Sequence, residues 1–370
     1  MSSFGTLLRL TTFGESHSKA VGGILEGFPS RFKLDLDAIQ TQVNRRRARG
    51  DLSTARQEAD QVVLLSGLQD QVTLGTPIAF LVNNNDIKPG DYQQCQGNGD
   101  EYIPRPSHAD YTYLKKYGIH AKSGGGRSSA RETIPRVIAG ALAEQYLMQT
   151  TGCDIIAWVN QVGPYRCGDI DISTITRESI DCSEVKCPQP DISESIIKHI
   201  REAKMEGDSV GGSITCVIRN PPIGIGEPCF DKLEAVLAHA MMSIPATKSF
   251  EIGEGIRVAE MKGSENNDCF EKDESENVKP RSNRAGGVLG GISSGEYITM
   301  RISIKPPASI SKVQKTCNLS GEAINFSTQG RHDPCVVQRA VSIVESMAAI
   351  CIMDLCLIQK RIAIRALDSR

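Results

Sequence analysis

The clearest signal in this chain is the stretch Gly124-Gly125-Gly126-Arg127-Ser128-Ser129-Ala130-Arg131-Glu132-Thr133, which leads into an apolar segment. The glycines allow positive φ angles and a close approach of backbone to a ligand. Ser129 and Glu132 have the S-x-x-E spacing of a capping box. Apolar residues then recur at helical spacing at Ile134, Val137, Ile138, Ala141 and Leu142. The sequence predicts a helix whose first N–H groups point back at the glycines.

This predicted helix start is a candidate anion site. Unpaired N–H groups in the first turn of a helix attract phosphate. Arg127 and Arg131 add planar cations suited to phosphate or carboxylate oxygens. The loop is not a nucleotide P-loop, because G-x-x-x-x-G-K-[ST] is absent. An ordinary glycine turn with a capped helix and two surface arginines is the alternative for this segment taken alone.

Length and composition leave room for one large domain or two, and no linker is visible in the 370 residues. We expect a single domain over 1–370, with the polar stretch at about 263–284 as an inserted surface loop. The net charge of −2 gives no reason to expect a nucleic-acid or membrane partner. The first residues do not show the charged and apolar regions of a signal peptide, and we expect a soluble, cytoplasmic protein. The dispersed cysteines lack C-x-x-C pairs, which favours reduced thiols and no structural metal.

Helices and strands interleave along the chain. The hydrophobic patterns predict strands at 21–28, 62–66, 78–82, 155–162, 213–219 and 297–304, and helices at 34–47, 192–205, 230–242 and 334–357. The last helix is apolar nearly all round except at Arg339, Glu345 and Asp354, as a core helix would be. A loose repeat of Val21-Gly22-Gly23 at Val210-Gly211-Gly212 hints at a duplicated β-β-α unit.

Turns that carry histidine or arginine are candidate sites of proton transfer. They are Gly14-Glu15-Ser16-His17, Arg105-Pro106-Ser107-His108-Ala109-Asp110 and Gly330-Arg331-His332-Asp333-Pro334. Histidine is the natural acid or base near neutral pH, although a lone histidine is more often structural. Arg45-Arg46-Arg47 and Arg49 end a predicted helix, where cations are ordinarily favoured by the macrodipole. The other interpretations are a clamp for a polyanionic small molecule and a nucleic-acid site, and the 5% aromatic content argues against the latter.

Several motifs in one order resemble the chorismate synthase family. They are Gly14-Glu15-Ser16-His17, Arg105 to Thr112, Gly124 to Thr133, Gly290-Gly291-Ile292-Ser293-Ser294-Gly295, Lys305-Pro306 and Gly330 to Cys335. The resemblance covers about residues 4–357. It implies an α+β fold, namely a β-α-β sandwich with internal pseudo-symmetry, and a homotetramer.

The resemblance also implies an activity. It is the 1,4-anti elimination of phosphate from 5-enolpyruvylshikimate 3-phosphate to give chorismate, a lyase step of the shikimate pathway. Reduced FMN is required without being consumed, and NADPH is a further cofactor where the enzyme reduces its own flavin. A flavin-independent phosphosugar or nucleotide enzyme that uses the loop at 124–133 is the alternative.

Site residues follow from the resemblance position by position. The implied catalytic residues are His17, His108 and Asp333. The implied flavin contacts are Arg127, Ser128, Ser129, Ala246, Gly290, Lys305, Ser309 and Arg331. The implied substrate contacts are Arg46, Arg131 and Arg331.

Four positions depart from the family pattern. Ser18 and Ser107 stand where the family usually has glycine beside each histidine, and Asp51 and Gln57 lie where the family tends to be basic. If either serine position requires a positive φ, the side chain costs about 1 kcal/mol or more.

Overall fold

The computed structural model describes residues 2–47, 50, 52, 58–85, 101–119, 125–272, 276, 278–328 and 332–362. The α-helices are α1 Leu36–Arg46, α2 Asp110–Tyr117, α3 Ile134–Thr151, α4 Arg177–Asp181, α5 Pro190–Met205, α6 Leu233–Met242, α7 Gly263–Asn266 and α8 Val337–Ile362. The strands of the first half are β1 Ser3–Phe4, β2 Arg9–Phe13, β3 Ala20–Glu26, β4 Val63–Leu64, β5 Leu68–Gln69, β6 Val72–Thr73 and β7 Ile78–Asn83. Those of the second half are β8 Asp154–Val162, β9 Tyr165–Arg166, β10 Gly212–Arg219, β11 Thr247–Ile252, β12 Phe270–Lys272, β13 Val278–Pro280, β14 Val288–Leu289, β15 Ile292–Ser293, β16 Ile298–Ile304, β17 Gln314–Cys317 and β18 Ala323–Phe326.

The two halves of the chain repeat one architecture. The first half forms a five-stranded antiparallel sheet in the order β1-β2-β3-β7-β4, and the second forms one in the order β9-β8-β10-β16-β11. In both, a helix (α1 or α6) follows the central strand, a short hairpin (β5–β6 or β14–β15) precedes the next strand, and a long helix (α3 or α8) follows. The predicted internal duplication is confirmed and extends well beyond the β-β-α unit.

The long helices lie between the two sheets. Helix α3 packs on β2, β3 and β7, helix α8 packs on β8 and β10, and the two helices pack on each other. Strand β16 alternates buried and half-buried residues along Ile298–Ile304, as its period-two pattern predicts. The result is the β-α-β sandwich of the predicted fold class, with one main hydrophobic core spanning both halves.

The two buried acidic side chains of helix α8 each have specific backbone partners. Asp354 accepts backbone N–H bonds from Thr6, Leu7 and Leu8 at 2.7, 2.7 and 2.8 Å. Glu345 accepts the Ala157 N–H at 3.0 Å. By length and composition α8 could cross a membrane, but 89% of its apolar window is buried inside the protein. These partners and this burial make α8 the core helix that the sequence predicts.

The predicted capping box at the start of α3 is wrong. Two 3-10 turns, Gly126–Ser128 and Ala130–Thr133, precede the α-helix, which begins at Ile134. The Ser129 hydroxyl does accept a bond, from the Arg131 N–H at 3.3 Å. The Glu132 carboxylate instead accepts from Thr12 Oγ1 at 3.0 Å and pairs with Arg136 at 3.0 Å. These partners draw the carboxylate away from the helix start.

The polar stretch at 263–284 has structure of its own. It contains α7 and an exposed hairpin formed by β12 and β13. Asp268 holds its base, because its carboxylate accepts from Ser282 Oγ at 2.6 Å and from the N–H groups of Arg284 and Ala285 at 2.9 Å. In the residues that the structure describes, the excursion therefore contains a short helix and a two-stranded hairpin.

Candidate active site

Two adjoining cavities lie where the turns that carry the predicted site residues meet. The large cavity has a volume of about 920 Å³ and the small one about 260 Å³. His108, Ser128 and Ala246 line both cavities. A cavity of several hundred Å³ with converging polar groups is the usual form of a small-molecule site.

His108 sits at the boundary between the cavities, held by a buried ion pair. Its Nδ1 lies 2.6 Å from Asp110 Oδ1, and Arg105 Nε donates to Asp110 Oδ2 at 2.7 Å. Burial alone would raise the pKa of Asp110, but the hydrogen bonds from His108 and Arg105 outweigh it and hold that pKa well below its usual value. Arg105 Nη1 also donates to Ser309 Oγ at 3.2 Å. One ion pair thus orients two predicted site residues.

His17 lies against the same glycine turn as His108. The Ser16 hydroxyl shares a 2.9 Å hydrogen bond with His17 Nδ1, and the Ser16 N–H donates to the Gly126 carbonyl at 3.4 Å. His108 Nε2 approaches the preceding residue, since a Cβ placed on Gly125 would lie 3.5 Å from that nitrogen. The turn at 125–126 therefore contacts the His108 ring on one side and the backbone of Ser16 on the other, and His17 itself lines neither cavity.

Arg46 lines the small cavity from the end of α1. Its Nε donates to Thr133 Oγ1 at 2.8 Å and its Nη2 to the Ala130 carbonyl at 2.5 Å, while Asp60 Oδ2 lies 3.8 Å from Nη1. Burial, followed by the charge of Arg339, lowers the pKa of Arg46 well below its usual value. A bound anion would favour the charged form of this side chain.

Arg131 is buried and lines neither cavity. Its guanidinium pairs with Glu58, donates to Asp60 Oδ1 at 2.5 Å and donates to Asn84 Oδ1 at 2.6 Å. Asn84 Nδ2 in turn donates to two carbonyls of the turn that carries His17, at 3.1 and 2.7 Å. Arg131 is thereby connected to His17 through one amide, and its contact with substrate stays a prediction.

Asp333 lines the small cavity beside Arg339. Arg339 Nη1 donates to Asp333 Oδ2 at 2.6 Å, and the pair is mostly buried. The turn at 332–333 and the first turns of α8 thus present an acid and a cation to the same space. Arg339 was the first of the three polar exceptions in the predicted helix.

Cations border the large cavity. Arg127, Arg136, Lys248 and Lys305 all line it. Burial, followed by the charge of Lys248, lowers the pKa of Lys305. Arg127 Nη2 donates to Thr12 Oγ1 at 2.7 Å, which fixes one of the cations at the wall. An anionic group bound here would offset the repulsion between like charges.

The large cavity fits a flavin mononucleotide. Its volume is within the range of cofactor sites, its cations suit a phosphate, and its wall includes Pro245, Ala246 and Pro307 for a flat ring. Thr247 Oγ1 is a buried wall atom without a hydrogen-bond partner among the described residues. In the adjoining small cavity, a Cβ placed on Gly125 would lie 3.3 Å from the Ser129 nitrogen, so the glycine lets a ligand approach the backbone closely there. Within the described ranges, His, Cys, Asp and Glu side chains form no group of three or more that could hold a metal ion.

The two serines that replace glycine behave differently. Ser107 has a φ of 58°, so this position does adopt the left-handed region, and Lys305 Nζ donates to its carbonyl at 2.7 Å. Ser18 is not among the residues with positive φ. Its hydroxyl accepts from the Glu15 N–H at 3.0 Å and donates to the Ala20 carbonyl at 2.8 Å. Of these two serines, only the one beside His108 therefore carries backbone strain.

Most of the predicted site residues border the cavities. The predicted residues that line at least one cavity are Arg46, His108, Arg127, Ser128, Ser129, Ala246, Lys305, Ser309 and Asp333. Gly290 lies at the turn between β14 and β15 and lines neither cavity. Arg331 lies outside the described residues, as do Gly124, Gly330, Asp51 and Gln57.

Sequence reasoning did not assign several polar residues that shape the site to catalysis or to ligand binding. These are Thr12, Asn84, Arg105, Asp110, Glu132, Arg136 and Arg339. Two pairs carried a local signal: Glu132 and Arg136 have the i,i+4 spacing of a helical ion pair, and Asp110 follows His108 by two residues. The partners of Asn84 and Thr12 are distant in sequence, and no local pattern could identify them.

Comparisons with known proteins point to a single family. The family model described as chorismate synthase matches residues 8–357. A chorismate synthase of Synechococcus sp. (strain WH7803) is 51% identical over 354 residues, covering 95% of this chain and 96% of the relative. One of Prochlorococcus marinus (strain MIT 9211) is 49% identical with the same coverage. A solved structure described as a crystal structure of chorismate synthase has a TM-score of 0.76 at 28% identity, covering 96% of this chain and 93% of its own.

Proposed function

The chain belongs to the chorismate synthase family, and from this membership we propose how its residues divide the work of the reaction. The activity is the 1,4-anti elimination of phosphate from 5-enolpyruvylshikimate 3-phosphate, which gives chorismate. The enzyme is thus a carbon–oxygen lyase of aromatic amino-acid biosynthesis. A flavin-independent phosphosugar or nucleotide enzyme is not favoured by the family match.

Reduced FMN is the proposed cofactor, with its place in the large cavity. When bound, it supplies electron density that supports cleavage of the carbon–oxygen bond without net redox change. Arg127, Ser128 and Lys305 line this cavity and would hold the phosphate and ring oxygens. Ser129 and Ser309 line the adjoining small cavity, and Ala246 lines both. Gly290 and Arg331 complete the proposed contacts by family resemblance.

The substrate carries a phosphate and two carboxylates, and we assign it to the small cavity. Arg46 offers a cation there whose nearest carboxylate among the described residues is 3.8 Å away, and Arg339 adds a second cation. Arg131 and Arg331 are the other proposed contacts. Cations that face the departing phosphate stabilise the negative charge that develops on it. Binding and charge stabilisation are therefore the tasks of the arginines.

Three side chains are proposed to hold or move protons. His17 donates to the departing phosphate from its ring, which Ser16 orients through Nδ1. His108 holds a proton at the cavity wall, where its Nε2 faces Gly125. Asp333 exchanges protons from the wall of the small cavity, where Arg339 holds its Oδ2. Positioned acids and bases of this kind contribute about 10²- to 10⁴-fold in rate.

Three further proposals concern the location of the enzyme, its oligomeric state and the reduction of its flavin. We propose a cytoplasmic homotetramer, following the family resemblance. Reduction of FMN by the enzyme itself with NADPH is proposed as an additional activity. An assay in air with NADPH as the only reductant tests that activity, and light scattering tests the oligomer.

The main experiment measures chorismate formation without oxygen, with photoreduced FMN and the phosphorylated substrate. We expect turnover with reduced FMN and none with oxidised FMN. His17→Ala and His108→Ala should each slow phosphate release by about 10²-fold or more. His199→Ala is the matched control, because His199 packs on Tyr165 and lines neither cavity. Absence of chorismate under reducing conditions would refute the function, and full turnover by both histidine variants would refute their roles.

A further inference from the structure

The turn that carries His108 holds three ionisable side chains in mutual contact. His108 Nδ1 lies 2.6 Å from Asp110 Oδ1 and 3.1 Å from Arg105 Nη2. Arg105 also reaches both oxygens of Asp110, with Nε to Oδ2 at 2.7 Å and Nη2 to Oδ1 at 2.9 Å. The Arg105 and Asp110 side chains are 5% and 9% exposed, whereas that of His108 is 20% exposed. The histidine is therefore the member of the cluster that meets the cavity.

His108 Nδ1 cannot form a hydrogen bond with Arg105 and with Asp110 in the same protonation state. The donor or acceptor character of each partner shows which bond forms. A guanidinium can only donate, so an Arg105 hydrogen bond would require an unprotonated Nδ1. An ionised carboxylate can only accept, so the Asp110 contact requires a proton on Nδ1. The carboxylate contact is 0.5 Å shorter (2.6 against 3.1 Å) and has the length of a charge-assisted bond. The carboxylate therefore determines the state of Nδ1.

Arg105 acts on the carboxylate rather than on the imidazole. Its two bonds to Asp110 keep that carboxylate ionised and fix its orientation. Its remaining nitrogen, Nη1, donates to Ser309 Oγ at 3.2 Å across the small cavity. The backbone restrains the same turn, since the His108 N–H donates to the Arg105 carbonyl at 3.1 Å. The Asp110 carboxylate and the Arg105 guanidinium are thus each restrained by a contact other than the one with His108 Nδ1.

We propose that Asp110 is the positioning residue of His108: its carboxylate keeps the neutral ring protonated at Nδ1 and directs Nε2 to the cavity wall. This inference rests on the proton-holding role proposed above for His108. With Nδ1–H engaged by Asp110, only Nε2 is free to take up and release a proton. Asp110 touches neither substrate nor cofactor in this arrangement. It acts through the ring by fixing which nitrogen is basic.

The tautomer of His108 provides a test without cofactor or substrate. Nitrogen-15 imidazole spectra of the wild-type enzyme are recorded at alkaline pH, where an imidazole is neutral. The protein has six histidines, and the signals lost in His108→Gln identify the ring of interest. We expect an Nδ1–H tautomer in the wild type. In Asp110→Asn the nearby Arg105 N–H becomes the stronger neighbour of Nδ1, and we expect a shift to the Nε2–H tautomer.

Kinetics provide the second readout. In Asp110→Asn we expect turnover to fall between about 10²- and 10⁴-fold, the range that a misplaced general acid or base produces. KM for the phosphorylated substrate should stay within about twofold, because Asp110 does not contact the substrate site directly. Asp110→Glu should restore part of the turnover and the Nδ1–H signal, since it returns a carboxylate.

The matched control is Asp171→Asn. Asp171 also accepts several turn hydrogen bonds, from Ser173 N at 2.9 Å and Thr174 Oγ1 at 2.9 Å, but it lines neither cavity. We expect it to leave turnover and the His108 spectrum unchanged. A wild-type enzyme with the Nε2–H tautomer, or an Asp110→Asn enzyme that changes only KM, would overturn the inference. If His108→Gln turns over normally while the wild type shows Nδ1–H, the proposed role of His108 fails and the assignment of the tautomer stands.

Discussion

The two neighbouring arginines at the end of α1 enter regions of opposite character. Arg45 enters the core, where its guanidinium donates to Asp181 at 2.6 Å, Glu345 at 2.5 Å and Gln42 at 2.9 Å. Arg46 enters the cavity region, where its hydrogen bonds go to a hydroxyl and a carbonyl and the nearest carboxylate in the described chain is 3.8 Å away. Both side chains are almost fully buried.

This difference separates a charge that serves the fold from one that is left for a ligand. Burial would lower the pKa of Arg45, but Glu345 and Asp181 outweigh it and raise that pKa. Burial and the charge of Arg339 lower the pKa of Arg46. The core thus compensates its cation internally, whereas the cavity holds a cation that an incoming anion would stabilise. Substitutions can test the two cases separately.

The largest expected effect is a loss of stability in Arg45→Met. Removing this guanidinium leaves Glu345 buried with one fewer cation, and breaking a buried pair costs about 3–5 kcal/mol. Denaturant unfolding of the wild type and the variant measures the change. The double variant Arg45→Met/Glu345→Met should recover much of the loss, because the more deeply buried of the two carboxylates, that of Glu345, is then no longer left without its Arg45 partner. An unchanged midpoint in Arg45→Met would show that the core charges are not coupled.

The next effect is a loss of activity in Arg46→Gln. We expect turnover to fall about 10²- to 10³-fold, as when a group that stabilises developing charge is removed. The free energy of unfolding should change by less than about 1 kcal/mol, because the lost bonds go to neutral atoms. Arg219→Gln, a half-buried arginine of β10 away from both cavities, is the control. A variant that is destabilised as strongly as Arg45→Met and stays active would erase the distinction between the two regions.

Much of the architecture was predictable because it follows from local patterns of polar and apolar residues in the sequence. The alternation along β16 and the apolar length of α8 identified both elements from sequence. Local patterns could not predict that Arg45 enters the core and Arg46 enters the cavity region. Successive helix residues differ by about 100° in direction, but which direction is core depends on elements far away in the chain. Asp181 and Glu345 lie 136 and 300 residues from Arg45.

Much of the lining of the two cavities was predictable, and its connections were less so. Family resemblance pointed to His108 and Arg46, which line the cavities, and to His17, whose role stays a prediction, because motifs preserve residue type and order. It could not show that Arg131 is engaged by Asp60 and Asn84, since those contacts span 71 and 47 residues. Even the local capping rule failed at Glu132, where two side-chain partners outcompete the helix start. Long-range polar pairing is the information that local patterns lack.

A third test concerns the pH dependence of the core charges. Burial alone would raise the pKa of Glu345, but Arg177 and Arg45 outweigh it and lower that pKa below 4.5. A carboxyl group whose pKa is lower in the folded protein than in the unfolded chain stabilises the fold fully above its unfolded-state pKa. This stabilisation is lost as the pH falls through the folded-state pKa. We therefore expect wild-type stability to decline below about pH 4.5, and Glu345→Gln to show a shallower decline. Equal acid profiles measured by unfolding would indicate that Glu345 does not titrate on unfolding.

The smallest effects test whether the cavity region also carries backbone strain. Ser107 beside His108 has a φ of 58°, which costs a residue with a side chain about 1–2 kcal/mol, whereas glycine adopts it freely. Ser107→Gly should therefore stabilise the protein by up to about 1 kcal/mol, after the added chain entropy of glycine is subtracted. Ser18→Gly should destabilise it by about 1 kcal/mol, because the hydroxyl bonds to Glu15 and Ala20 are lost without relief of strain. Unfolding curves of both variants measure the two signs. If Ser107→Gly is as destabilising as Ser18→Gly, the turn beside His108 is unstrained, and only its charges distinguish the cavity from the core.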